Sequence, residues 1–194
     1  MASGVGAKTV GALRSLQSGA NPRRMTWQQT MLRIRSPEKS LRFYRDVMGM
    51  THIDTYVFEE WGFSLYFLES MSAEGRRAYE AEVPEGPGSD AAHAYLWKMP
   101  GVALELTHNH GSEEEYHAGN QERDGFGHIA FACDDVVAAS EKLEKEFGVD
   151  FKKRPHEGRM KTIGEDGHHM LISTLPCAAL PCATRDAFSL SLTA

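Results

Sequence analysis

A carboxylate stands in the middle of a short apolar stretch of the sequence. Glu105 lies within Gly101–Thr107 among alanine, valine and leucine residues, and Pro100 precedes the stretch. A short apolar run between a turn signal and polar residues predicts a β-strand. Burying an ionised carboxylate costs several kcal/mol unless a cation or strong hydrogen-bond donors meet it. Glu105 is therefore a candidate metal ligand or catalytic base. The alternative is an edge or solvent-facing position on the strand, where it needs no partner.

The chain before this strand begins with a predicted strand and helix. Residues 27–35 read as a strand, and Ser36 and Pro37 then supply an N-cap and a first helical residue. An apolar stripe at helical spacing follows, and Gly49 provides the C-terminal stop.

The same arrangement returns in the second half of the chain. Residues 127–133 read as a strand, Asp135 is the N-cap of the next predicted helix, and Gly148 ends it. Cap and stop are 13 residues apart in both halves, and Gln29 and His128 each stand seven residues before a cap. The spacing predicts an internal duplication of a β-α-β-β-β unit, and hence a fold of the α+β class.

The remaining segments complete the two units. Strands are predicted near 50–57 and 63–68, and the polar, Gly- and Pro-containing residues 71–100 are expected to form an inserted surface loop with one helical turn. A last strand is predicted around 168–173. Aligning it with the strand of Glu105 places Leu171 opposite Glu105, so the second unit lacks the matching carboxylate.

Composition argues against several classes of function. The net charge is −6 and no basic patch with interleaved aromatic residues occurs, which argues against nucleic-acid binding. No apolar run approaches the roughly 20 residues of a membrane-spanning helix. The three cysteines, Cys133, Cys177 and Cys182, have no zinc-site spacing, so free thiols in a reducing compartment are expected.

The two ends of the chain differ from its centre. The first 25 residues are basic and contain no acidic residue, which is typical of an organellar transit peptide or of a disordered tail. We therefore expect residues 1–25 to be a tail, residues 26–174 a domain with modules 27–109 and 125–174, and residues 175–194 a C-terminal tail. The expected location is the cytoplasm, or a mitochondrion or plastid if the first 25 residues are a transit peptide.

From about residue 27 to residue 173 the sequence resembles the glyoxalase I (lactoylglutathione lyase) enzymes of the vicinal-oxygen-chelate superfamily. The resemblance implies a fold of two paired βαβββ modules whose curved sheets enclose a metal ion. It rests on six strings, Gln28–Arg33, Phe43–Tyr44 leading to Gly49–Met50, Phe63–Phe67, Leu104–Asn109, Gly125–Ile129 and Arg159–Lys161.

The resemblance implies a metal site and a substrate. Gln29, Glu105 and His128 match metal ligands, and an amide oxygen, a carboxylate and an imidazole suit Zn²⁺, with Ni²⁺ or Co²⁺ as alternatives. A homodimer is implied, with each site at the interface taking two ligands from each subunit. The co-substrate is glutathione, whose hemithioacetal with methylglyoxal is isomerised to S-lactoylglutathione after a carboxylate removes the carbon-bound proton.

Further residues match substrate-binding positions by the same resemblance. Two cations would meet the carboxylates of glutathione, one residue would donate hydrogen bonds, and two lie on the loop that closes over the ligand. They are Arg33, Lys153, Asn109, Arg159 and Met160. Without the resemblance, Arg33 and Lys153 would be read as solvated surface charges.

His108 and His110 alternate along the chain after Glu105, as a metal-binding pair would. The resemblance instead places them beside Glu105 as structural or ligand-adjacent residues. We therefore do not expect them among the ligands of the implied metal.

Leu171 departs from the resemblance, because it falls at the fourth ligand, which also serves as a base. His169, on the same strand face, could replace it, as could Glu165 or Asp166 through a shortened hairpin. Alternatively, the site works with three ligands and Glu105 as sole base. The third reading is an impaired module that binds glutathione conjugates or pairs with an active paralogue.

Overall fold

A computed structural model describes residues 27–112, 116, 129–151, 169–173 and 189–190 of the chain. Every structural statement below concerns those residues. The chain divides into two compact units, one formed by residues 1–32 and 44–111 and the other by residues 33–43 and 112–194.

A four-stranded sheet is the centre of the first unit. It contains β1 (Gln29–Ile34), β2 (Thr51–Phe58), β3 (Phe63–Glu69) and β4 (Ala103–Asn109) in the order β1-β4-β3-β2. The pairs β2–β3 and β3–β4 are antiparallel. Strand β4, which carries Glu105, therefore has a neighbour on each side, and its backbone polar groups are paired within the sheet.

The helix predicted after β1 is present and begins where its cap predicts. Helix α1 (Pro37–Leu41) has Ser36 as N-cap, whose hydroxyl accepts a hydrogen bond from the Lys39 amide at 3.3 Å. It continues as a π-helical segment, Arg42–Val47, and Gly49 follows with a φ of 74°. That left-handed value explains the glycine, because a side chain there would be strained.

The prediction of a surface loop over residues 71–100 is wrong. The segment contains helices α2 (Ala73–Glu82) and α3 (Asp90–Leu96), which begin at N-caps Ser72 and Ser89. Their few apolar side chains join a cluster with residues of the sheet, made of Ile53, Phe67, Tyr79, Val83, Ala92, Leu96, Met99 and Ala103. Helix α2 is mostly polar with a narrow apolar stripe, and the Gly- and Pro-containing residues between the two helices favoured the prediction of a loop.

The second half of the chain repeats the strand–helix order with which the first half begins. Strand β5 (Ile129–Cys133) leads through N-cap Asp135 into α4 (Val136–Phe147), which ends at Gly148 with a φ of 65°. Strands β6 (Asp150–Phe151), β7 (His169–Ser173) and β8 (Ser189–Leu190) follow. Strand β7 pairs antiparallel with β5, and β8 pairs parallel with β6. The predicted helix bounds are confirmed, whereas the module boundaries stay a prediction.

Two expectations from composition can be compared with the described part of the chain. None of its helices has the length and apolar character needed to cross a membrane. Cys133 is a free thiol, and burial raises its pKa, which favours the protonated and less reactive form. Cys177 and Cys182 lie outside the described residues.

A second carboxylate is buried at the end of β3. Glu69 is 5% exposed, accepts a hydrogen bond from the Gly101 amide, and has an Oε2 atom with no hydrogen-bond partner among the described residues. A Cβ at position 101 would lie 1.7 Å from Oε1 of Glu69, so any other residue there would force the Glu69 carboxylate to move. Burial raises the pKa of the Glu69 carboxyl above its usual range.

We expect Glu69 to lower the free energy of unfolding of the wild type as the pH rises. Between the usual glutamate pKa and the raised native value, the folded state holds a proton that the unfolded state has released. The free energy of unfolding therefore decreases as the pH rises through that interval and levels off above it. Glu69→Gln removes this contribution, so urea unfolding at a series of pH values should show the variant gaining on the wild type as the pH rises. The exposed Glu60→Gln is the matched control, and parallel curves for Glu69→Gln and wild type would contradict the assignment.

Candidate functional site

Glu105 contacts Gln29 in the interior of the sheet. Glu105 is 7% exposed, and its Oε2 accepts a short hydrogen bond from the Gln29 side-chain amide. The adjacent backbone is held by the bond from the Ala103 amide to the Gln28 carbonyl at 2.9 Å, which joins β4 to the start of β1. The solvent-facing alternative for Glu105 is wrong, and the structure brings together two of the residues that the sequence singled out.

Sequence reasoning missed a third member of this group, Thr107. Its hydroxyl donates to Oε1 of Glu105 at 3.2 Å, and Thr107 is itself 7% exposed. The signal was the alternation of a strand, because a residue two positions after Glu105 lies on the same face.

The two groups that donate hydrogen bonds to Glu105 are neutral, so a cation beside the carboxylate would compensate its burial better. An ionised carboxylate that is almost fully buried is costly when only an amide and a hydroxyl meet it. Rotating the Gln29 amide by half a turn presents an oxygen in place of the nitrogen. The pair can thus offer a carboxylate oxygen and an amide oxygen to one divalent ion, and this donor set fits the implied metal.

His128, the third predicted ligand, lies outside the described residues. So do Lys153, Arg159, Met160, Glu165 and Asp166 among the predicted binding or substitute residues. Within the part of the chain that the structure describes, no three His, Cys, Asp or Glu side chains already converge as a metal site.

Strand β1 carries a predicted substrate-binding residue on the same face as Gln29. Arg33 lies four residues after Gln29 and is exposed, whereas its neighbours Leu32 and Ile34, on the opposite face, are buried. On β4, the half-buried Asn109 shares its face with Glu105 in the same way. Arg33 and Asn109 therefore lie on the face of the sheet that carries Gln29 and Glu105, and their roles in binding stay a prediction.

Phe67 separates Glu105 from another buried carboxylate. In the register of the sheet, Phe67 pairs with Glu105 of β4 on one side and with Asp54 of β2 on the other. Asp54 is fully buried and accepts from the backbone amides of Thr55 and Gly88 at 2.7 and 3.0 Å. Its second oxygen is 2.7 Å from Nδ1 of His93 in α3. Asp54 thus links the sheet to the helix that covers it.

Strand β7 carries the position where a second carboxylate was expected. Leu171 pairs with Phe131 of β5, and His169 pairs with Cys133. The predicted strand is confirmed, and His169 and Leu171 share a face because they are two residues apart.

Comparisons with known proteins give the family to which the chain belongs. Residues 26–166 match the model of the Glyoxalase/Bleomycin resistance protein/Dioxygenase superfamily, so the chain belongs to that superfamily. A lactoylglutathione lyase of Pseudomonas putida is 43% identical over 141 residues, which are 71% of this chain and 75% of that protein. One from Pseudomonas aeruginosa is 44% identical over 140 residues, covering 71% and 73%. One from Schizosaccharomyces pombe is 41% identical over 139 residues, covering 69% of this chain and 41% of that protein.

We expect Glu105→Gln to stabilise the metal-free protein while reducing its stabilisation by added metal. The substitution replaces a buried charge by an amide of the same shape, which should raise the free energy of unfolding of chelator-treated protein by about 1–3 kcal/mol. Added Zn²⁺ should raise the melting temperature of the wild type, because an ion that binds only the folded state stabilises it. The rise in melting temperature should be smaller for the variant.

The matched control is Glu60→Gln, which removes a carboxylate from an exposed position of the same unit. It should leave both the metal-free stability and the response to Zn²⁺ at wild-type values. A Glu105→Gln protein that is less stable without metal and equally stabilised by Zn²⁺ would show that the carboxylate has a structural role only.

Proposed function

We propose that this chain is a lactoylglutathione lyase, which isomerises the hemithioacetal of methylglyoxal and glutathione to S-lactoylglutathione. The observation that carries the proposal is the buried pair of Gln29 and Glu105 in a chain of the glyoxalase superfamily. The identity of 41–44% to proteins named lactoylglutathione lyase supports the same reaction.

In this proposal Gln29, Glu105 and His128 hold one divalent ion, with Zn²⁺ as the first candidate and Ni²⁺ or Co²⁺ as alternatives. When bound, that ion supplies Lewis-acid polarisation of the two oxygens of the hemithioacetal. Gln29 on β1 and Glu105 on β4 would supply two ligands from one chain, and the proposal takes the other two from a second copy in a homodimer.

Glu105 is the base. Its carboxylate accepts the carbon-bound proton of the hemithioacetal and returns it to the neighbouring carbon, so that the product has the same atoms as the substrate. The hydroxyl of Thr107, 3.2 Å from Oε1, fixes the orientation of the carboxylate. Burial between two packed strands keeps bulk water from Glu105, which strengthens its interaction with a nearby charge.

Substrate binding is assigned to the cationic and polar residues around this centre. Arg33 on β1 suits a carboxylate of glutathione, because a guanidinium binds a carboxylate through two parallel hydrogen bonds. Asn109 donates a hydrogen bond from the same face of the sheet as Glu105. Lys153, Arg159 and Met160 keep the roles that the resemblance implies.

A second candidate is an impaired glyoxalase-like module that binds glutathione conjugates or pairs with an active paralogue. Leu171 favours it, because a leucine neither binds a metal nor carries a proton. In this case Glu105 would hold a ligand without completing the proton transfer.

We expect Leu171→Glu to raise activity over the wild type by about 10²-fold, since positioned proton transfer contributes 10²–10⁴-fold to many enzymes. The assay follows formation of the thioester from methylglyoxal and glutathione with Zn²⁺, Ni²⁺ or Co²⁺ restored. Met170→Glu, at the next register position and hence on the other strand face, is the matched control and should give no gain.

The wild type and Glu105→Gln decide between the two candidate functions. The lyase is supported if the wild type forms the thioester with one of the ions and the Glu105→Gln variant has an activity lower by about 10²-fold or more. A wild type inactive with all three ions, together with an active Leu171→Glu, identifies the impaired module. Loss of activity in His169→Ala but not in His168→Ala would assign the missing ligand to His169.

A further inference from the structure

A group of polar side chains that the proposed reaction does not use lies at the end of β4. His108 belongs to β4 and pairs with Ser64 of β3, and His110 follows the strand. The two imidazole rings have centroids 5.5 Å apart and planes inclined by 50°. Two imidazoles that bind one Zn²⁺ through nitrogens about 2.1 Å from it have ring centroids roughly 5 Å apart, so the spacing of these rings is compatible with a shared ion.

His110 is held in one orientation by its neighbours. Its Nε2 shares a hydrogen bond of 2.8 Å with the hydroxyl of Ser64, which is 3% exposed. Its backbone amide donates to the Gly62 carbonyl at 2.7 Å, and the Gly62 amide in turn donates to the carbonyl of Glu59. The histidine and the turn that carries Glu59 are therefore fixed to each other, and a ligand histidine with its second nitrogen hydrogen-bonded is the usual arrangement in metal sites.

The other nitrogen of His110 faces a carboxylate. Nδ1 lies 3.9 Å from Oε2 of Glu59, whose side chain is 81% exposed. That separation is too long for a hydrogen bond. Two ligands of one tetrahedral Zn²⁺, each about 2.0–2.2 Å from it, lie about 3.4 Å apart, so the Glu59 carboxylate would approach the ring by roughly half an ångström to share an ion.

We propose that His108, His110 and Glu59 form a second binding site for a late transition-metal ion such as Zn²⁺, Ni²⁺ or Cu²⁺. Two imidazoles and a carboxylate are a donor set that these ions prefer, and their remaining positions would be open to water. His110 is the fixed part of the site, because its ring and its backbone are both hydrogen-bonded. Among the described residues no three His, Cys, Asp or Glu side chains already converge on one ion, so the exposed carboxylate of Glu59 has to move to complete the site.

This site is separate from the pair of Gln29 and Glu105. His108 lies three residues after Glu105, so the two side chains leave β4 on opposite faces. The register agrees, because Glu105 pairs with Phe67 and His108 pairs with Ser64, which are three residues apart on β3. We therefore expect two ions for each chain, with the second site on the far side of the sheet from the first.

Calorimetric titration of the full-length, chelator-stripped protein with Zn²⁺ tests the proposal. The Glu105→Gln background weakens the first site, so the remaining tight binding reports the second. In that background His108→Ala and His110→Ala should each lower the affinity for Zn²⁺ about 10-fold or more, and Ser64→Ala about 10-fold, as loss of a partner that orients a ligand does.

Glu59 gives a variant that cannot fail by unfolding, because its side chain is exposed. Glu59→Gln should weaken Zn²⁺ binding in the same background, whereas Glu60→Gln, from the adjacent position of the same turn, should leave it unchanged. Retention of the same Zn²⁺ affinity in Glu59→Gln and His110→Ala as in Glu105→Gln alone would overturn the proposal. A Glu105→Gln protein that binds no Zn²⁺ would overturn it as well, without bearing on the lyase reaction of the wild type.

Discussion

The burial of carboxylates on one face of a β-sheet is the constraint on which this protein depends. Asp54, Glu69 and Glu105 are exposed by 0%, 5% and 7%, respectively. Asp54 and Glu105 pair with Phe67 from its two sides, and Glu69 lies two residues after Phe67, so all three share a face. Each carboxylate requires compensation for its lost hydration, and each receives a different kind.

The groups that contact each buried carboxylate decide whether it can bind a cation or accept a proton. Asp54 is held by two backbone amides and by His93, which leaves it no freedom to accept another partner. Glu69 is pressed against Gly101, and its raised pKa favours the neutral acid. Glu105 alone is met by the side chains of Gln29 and Thr107, which can turn and make room for a cation. The candidate site therefore lies at Glu105 and not at the two neighbouring carboxylates.

The second half of the chain reproduces the framework of the first without reproducing its carboxylate. Helix α4 has the cap and the stop that the repeat requires, and β7 pairs with β5 at the expected end of the unit. At the position that corresponds to Glu105, however, the strand carries Leu171. The proton chemistry proposed here consequently rests on Glu105, and a ligand from His169 would have to come from the same face of β7.

Much of the framework was predictable from short-range signals. Ser36 and Asp135 cap helices where the sequence places them, and Gly49 and Gly148 adopt the left-handed backbone that ends a helix. The strand of Glu105 was also predictable, because turn residues and apolar side chains within a few positions define it. The helices of residues 71–100 were not, since their apolar stripes matter only when a sheet is present to receive Tyr79 and Leu96.

The sequence by itself determined the superfamily, the helix caps and the residues Gln29 and Glu105 as candidates, because these depend on residue types and on spacing along the chain. Only the tertiary structure decided that Glu105 is buried, that Gln29 meets it from 76 residues away, and that Thr107 completes the group. The same holds for His108 and His110, whose relation to Ser64 and Glu59 depends on strand register. Burial and long-range contacts follow from which strands become neighbours, and the spacing of residues within one strand does not contain that information.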